Sequence, residues 1–157
     1  MGQLKHSLLL CTVVILFCNI CLASAEADED HRQSFAAGLA AFDGGDYRQS
    51  IAHWRPLAEA GVVPAQLGLA LIYEQGLGIK QDAFKAVFWY RQAAAEDDPI
   101  AQIALAEKYE NGQGLSRDNA LALAWYARAA ANGNLYAAKE RDRLMPLVPI
   151  STRRAIQ

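Results

Sequence analysis

AQLGLALIYEQGLG at residues 65–78 returns as AQIALAEKYENGQG at 101–114, and DAFKAVFWYRQAAA at 82–95 returns as DNALALAWYARAAA at 118–131. Tyr73 pairs with Tyr109, Gly76 with Gly112, Gly78 with Gly114, Asp82 with Asp118 and Trp89 with Trp125, each pair 36 residues apart. A fixed period of this size, with aromatic and small residues in register, points to stacked helical pairs: one pair buries too little surface to fold alone, so copies must pack on each other.

Working outward, the spacing predicts a divergent third copy upstream. Phe35, Leu39 and Phe42 recur at helical spacing. Gly44-Gly45 stops that helix, and Asp46 caps a second one carrying Tyr47, Ile51, Trp54, Leu57 and Ala58. Trp54 takes the place of Trp89 and Trp125. Pro64 and Pro99 suit first helical turns, where a missing N–H costs nothing. Asp82, Asp98 and Asp118 read as N-caps, and Asn132-Gly133 as a helix stop. Leu135–Leu144 opens a fourth copy that is not completed, and its charged run from Lys139 to Arg143 gives the polar outer face of a terminal cap. The expected fold is all-α: a solenoid of three helix-turn-helix repeats (about 34–63, 64–98 and 99–133), a capping helix at 134–144 and a Pro-containing tail at 145–157, extended in path with its apolar residues packing back on the last helices. Small residues at Gly38, Ala70 and Ala106 let helices approach, and the tyrosines and tryptophans fill the gaps between them.

The N-terminus reads differently. Lys5 precedes an apolar run from Leu8 to Leu22, and Ala23-Ser24-Ala25 supplies a small-x-small cleavage pattern. At about 15 residues the run falls short of the roughly 20 a spanning helix needs, so residues 1–25 are expected to be a signal peptide and 26–33 a disordered acidic leader. Cys11, Cys18 and Cys21 follow Leu10, Phe17 and Ile20, bulky residues that do not suit a lipidation site. With all three cysteines in this segment, the exported chain has no disulfide and no thiolate metal site. Cleavage removes Lys5 and no acid, taking the net charge from −2 to −3. That balance, with no Lys/Arg run, argues against nucleic acid. The expected location is periplasmic or secreted, with no membrane span after cleavage.

No catalytic pattern emerges. No Ser stands three before a Lys, and no His-Glu-x-x-His occurs. His53 has no carboxylate or cysteine cluster beside it, so neither a metal nor a cofactor is expected. The Gly-x-Gly loops recur between two helices with no preceding strand, which makes them turns and not phosphate cradles.

The motif Ala-x-x-x-Leu-Ala-x-x-Tyr-x-x-Gly-x-Gly, then Asp, then Ala-x-x-Trp-Tyr-x-x-Ala-Ala resembles the Sel-one-like repeat, a relative of the tetratricopeptide repeat, over about Ser34 to Ala138. The first copy, with its short turn, is nearer a plain tetratricopeptide unit. The resemblance implies a right-handed α/α superhelix that binds a protein or peptide in its groove, often as a periplasmic adaptor. In such a pair the first helices line the concave face. The candidate partner-binding residues are then Phe35, Leu39 and Phe42 in copy one, Leu67, Leu71 and Glu74 in copy two, and Ile103, Glu107 and Glu110 in copy three. This face is apolar at one end and acidic at the other, or its leucines simply finish the core. Two rivals stay open: a β-lactam- or peptidoglycan-fragment binder or weak hydrolase on the same scaffold, and an accessory subunit of an envelope complex. A cysteine-rich branch of the family is linked to β-lactam binding, but this chain lacks its cysteines.

Overall fold

Asp46, Asp82, Asp98 and Asp118 each start a helix, as their positions demand. Their carboxylates accept from Gln49 N (3.1 Å), Lys85 N (3.0 Å), Ala101 N (2.8 Å) and both Ala120 N and Leu121 N (2.9 and 3.0 Å). Each cap satisfies amides that a helix leaves orphaned at its first turn. In the computed structural model, which describes residues 29–156, all regular structure is helical. α1 spans residues 29–43; α2 is Tyr47–Glu59, α3 Val63–Gln75, α4 Ala83–Ala95, α5 Pro99–Asn111, α6 Asn119–Ala131 and α7 Leu135–Leu144. A 3-10 turn, Met145–Leu147, leads to α8, Ile150–Ile156. Each helix from α2 to α7 packs on the next, the arrangement of an all-α helical-repeat solenoid.

Three buried clusters follow the three repeats, joined by shared aromatics. Trp89 lies against the first and second clusters, Tyr109 and Trp125 against the second and third. The joints repeat as well. Arg55 donates to the Tyr73 hydroxyl and Arg91, 36 residues on, to that of Tyr109 (3.2 and 3.3 Å). Buried Gln66 and Gln102 donate to the Ala58 and Ala94 carbonyls (3.0 and 3.5 Å), oxygens in the C-terminal turns of α2 and α4 that also accept from Gly61 N and Asp97 N (3.1 and 3.3 Å). Gly114 has φ 74°, and a Cβ there would meet the backbone of Ala83, its carbonyl carbon 2.6 Å away, so the third repeat's loop sits directly on the start of α4. Asp97 occupies the same left-handed region at φ 59°, where the flanking repeats have Gly61 and Gly133. Its carboxylate accepts from Arg128 (2.5 Å) and Gln102 (3.2 Å), which holds a non-glycine residue in that conformation.

The structure corrects the sequence reading at three places. The tryptophans are not equivalent. Trp54 is 3% exposed, whereas Trp89 and Trp125 are half-buried and their neighbours Tyr90 and Tyr126 take the deep positions. Gly38 on α1 and Gly68 on α3 touch the two edges of the Trp54 indole, where any Cβ would collide with it. By the 36-residue register Trp54 stands at the place of Tyr90 and Tyr126, all three buried, whereas Trp89 and Trp125 fall one position earlier, at the place of half-buried His53, and so lie on a shallower side of the helix. Next, residues 29–33 of the expected leader are helical. Glu29 pairs with Arg32 (3.3 Å) and accepts from Gln33 (3.1 Å), contacts that only a helix brings together. The expected signal peptide, 1–25, and the leader's first residues, 26–28, lie outside the described residues. Finally, the tail is not extended. Pro149 leads into α8, its carbonyl accepting from Thr152 N and Arg153 N (3.0 and 3.1 Å), and Val148 is buried in the last cluster. Proline blocks the continuation of a helix but suits the start of a new one. α8 returns against α6.

Candidate functional site

The first helices α1, α3 and α5 place the nine expected partner-binding residues in rows, set by the repeat register. One row runs Phe35, Leu67, Ile103; the next Leu39, Leu71, Glu107; the third Phe42, Glu74, Glu110. The structure divides them into three groups.

Phe35 and Phe42 are committed to the core. Their rings lie against Trp54, with centroids 5.8 and 5.6 Å from it, and Phe42 also meets Tyr47 edge-on at 5.3 Å. The Trp54 indole N–H donates to the Phe35 carbonyl at 3.2 Å, so this cluster is hydrogen-bonded as well as packed. Leu39, between them, points outward and is 45% exposed. Leu67 packs against the middle cluster and Ile103 against the last, both half-buried, as is Leu71.

The three acids are committed to neighbours in the next repeat or helix. Glu74 forms an ion pair with Lys108 and accepts from the Tyr90 hydroxyl (2.6 Å); Lys108 also donates to Gln113 (2.9 Å). Lys108 is only 7% exposed, at a position filled by Ile72 one repeat earlier and Leu144 one repeat later. Burial opposes charge on Glu74, but the Lys108 ammonium and the Tyr90 hydroxyl outweigh it and hold the carboxyl below its ordinary value. Burial, then the hydrogen bond to Glu74, pushes the Tyr90 hydroxyl far up, so it stays a donor. Glu110 takes two hydrogen bonds from Arg143 (2.7 and 2.8 Å), and Arg143 also reaches Glu140 (2.6 Å). Glu107 accepts from Tyr136 (3.2 Å).

Two of the three acids, Glu74 and Glu110, are thus ion-paired within the protein, Glu107 is only hydrogen-bonded by Tyr136, and the apolar end is open. The 34-residue separation of Glu74 and Lys108 left no local signal in the sequence; the lysine at an otherwise apolar core position was the one available hint. No helix among the described residues is long and apolar enough to cross a membrane, and among them no group of three or more His, Cys, Asp or Glu could hold a metal ion.

The pattern that defines the Sel1 repeat matches residues 63–98 and 99–134. A solved Sel1 repeat protein from Oxalobacter formigenes superposes with a TM-score of 0.67 at 32% identity, over 80% of this chain and 98% of that one. A protective antigen of uropathogenic Escherichia coli strains, displaying an SLR fold, superposes at 0.73 with 26% identity over 85% of this chain; this chain spans 30% of that longer one. No curated protein matches the chain.

Proposed function

The chain belongs to the Sel1 repeat family, whose members are generally protein-interaction scaffolds, and we propose that it is an exported scaffold that holds a partner protein or peptide on the face lined by its first helices. The observation that carries this reading is the open apolar row at the N-terminal end of that face. Leu39 is 45% exposed there, and Leu71 and Leu67 on the next first helix are half-buried. An extended or helical segment with alternating apolar side chains fits such a row. At the other end Glu74 and Glu110 contribute little direct attraction, because Lys108 and Arg143 already pair with them, while Glu107 keeps its charge under a Tyr136 hydrogen bond; these acids set where the apolar contact stops. Export rests on the apolar run and small-x-small site of residues 8–25. Family membership also favours a binding role over catalysis, since Sel1 scaffolds are typically non-catalytic.

The test is site-specific photocrosslinking in native cells, with the probe at Leu39 or Leu71 and, as control, at Gln92 on the outer side of α4. One protein crosslinked from the first two positions, lost in Leu71→Glu, supports the reading. Equal capture from Gln92 refutes the assigned face. Recovery of the protein only from the cytosol refutes export.

A further inference from the structure

A second surface carries the opposite character. Where the inter-helix loops gather, a cleft of about 730 Å³ opens between α2, the α3–α4 loop and the first turn of α4, and Tyr73 is its sole lining residue from a first helix. Arg48, Arg55, Lys80 and Lys85 converge on it, four cations on a chain whose net charge is −2. Its lining contains one acid, Asp82, and that carboxylate is in use: it caps α4 and pairs with Lys85 at 3.2 Å. Among the described residues, Arg48, Arg55 and Lys80 form no ion pair; Arg55 reaches only the Tyr73 hydroxyl. Elsewhere, arginines such as Arg128 and Arg143 are matched by carboxylates. Among the described residues Arg91, Arg117, Lys139 and Arg153 also form no ion pair, but none of them lines this cleft, which gathers three unpaired cations at one concave place. The cleft is not purely polar. Ile51 and Ile79 are half-buried in its wall, and Phe84, 76% exposed, stands at its edge with Phe88 one turn further along α4. A large aromatic ring held in water beside unmatched cations is complementary to a ligand that is both acidic and apolar.

We propose that this cleft is a second docking site, distinct from the first-helix face, that takes an acidic peptide segment of a partner protein: carboxylates on Arg48, Arg55 and Lys80, and an apolar side chain against Phe84 and Ile51. The apolar wall favours a peptide over a bare polyanion, which would leave Phe84 unused. The proposal stands or falls independently of the apolar row on α1 and α3.

The experiment titrates the purified protein into a fluorescein-labelled peptide of alternating Asp/Glu and Leu/Phe, followed by anisotropy. The control is the same peptide with Lys at every acidic position. The acidic peptide binds, weakens with added salt, and is not matched by the lysine peptide. Arg48→Glu/Lys80→Glu, both exposed and unpaired, weakens binding about tenfold or more with the circular dichroism spectrum unchanged. Phe84→Ser also weakens it, and Leu71→Glu leaves it alone. No binding of the acidic peptide, or equal binding by the charge-reversed variant, overturns the proposal. So does a loss in Leu71→Glu, which would put the peptide on the other face. Displacement by inorganic polyphosphate together with indifference to Phe84→Ser would make the cleft a general anion site, and overturns the peptide reading.

Discussion

Gly68→Ala tests most directly how the bulky Trp54 indole is seated at a buried position that holds tyrosine in the other copies. Position 68 lies inside α3, so exchanging Gly for Ala in an unhindered helix stabilises by about 1 kcal/mol. Here the new Cβ would stand 2.5 Å from Cζ3 and 2.6 Å from Cε3 of the Trp54 ring. The indole cannot retreat: Gly38 closes its other edge, Phe35 and Phe42 cover it, and its N–H is tied to the Phe35 carbonyl. Overpacking of this kind costs about 1–3 kcal/mol, so the helix gain is cancelled and a net loss of about 1 kcal/mol is expected. In a Trp54→Leu background the obstacle is gone, and the same Gly68→Ala change becomes stabilising by about 1 kcal/mol. The coupling around the cycle is then about 2 kcal/mol, well above what independent sites show. Urea unfolding followed by far-ultraviolet circular dichroism reads all four proteins without depending on Trp54 fluorescence. If Gly68→Ala stabilises the wild-type chain, or shifts it equally in both backgrounds, the glycine slot is not what seats the indole.

The Lys108–Glu74 pair supplies a second test. Lys108→Met leaves Glu74 partly buried with only Tyr90 to satisfy it and is expected to destabilise by about 1–3 kcal/mol, below the range for fully buried pairs because Glu74 keeps some solvent; adding Glu74→Leu should recover most of the loss in thermal melts. The pH dependence follows from the same pair. The folded-state pKa of Glu74 lies below its ordinary 4.5, so its contribution is present above that pH and fades as pH falls through the lower folded value; the stability difference between wild type and Glu74→Gln should be flat near neutrality and shrink in acid. Gly114→Ala should cost more than 2 kcal/mol, about 1 from its positive φ and the rest from the Ala83 backbone, whereas Gly133→Ala, with open space around it, should cost about 1 alone in the same unfolding assay. Val148→Ser should destabilise by about 1–3 kcal/mol through the last core cluster, while a stop after Pro149 should leave Val148 in place and cost less.

The apolar face of the candidate site was partly legible. Leu39 and Leu71 stand where the register puts them, half-open on the first-helix side. Phe35 and Phe42 were not legible as core, because helical spacing alone cannot distinguish a residue facing a groove from one facing the next helix. The three glutamates looked like an acidic patch. Whether a carboxylate is free or paired depends on cations 33 or 34 residues away, and no local pattern reports that distance. The basic cleft was missed for a similar reason: Arg48, Arg55, Lys80 and Lys85 are scattered along the chain, and only the packing of α2 beside the α3–α4 loop gathers them.

The sequence by itself determined the helices, their caps, the left-handed loop glycines and the 36-residue register, because each is a contest between a few neighbouring residues and the backbone's own angles and hydrogen bonds. Tertiary structure alone decided depth and pairing: that Trp54, seated between two glycines, fills the buried place that Tyr90 and Tyr126 hold in the other copies, which acids meet a cation, and that the tail after Pro149 coils back as a helix on α6. Those outcomes depend on volume and charge supplied from the adjacent repeat, and burial is a property of the facing surface as much as of the residue itself.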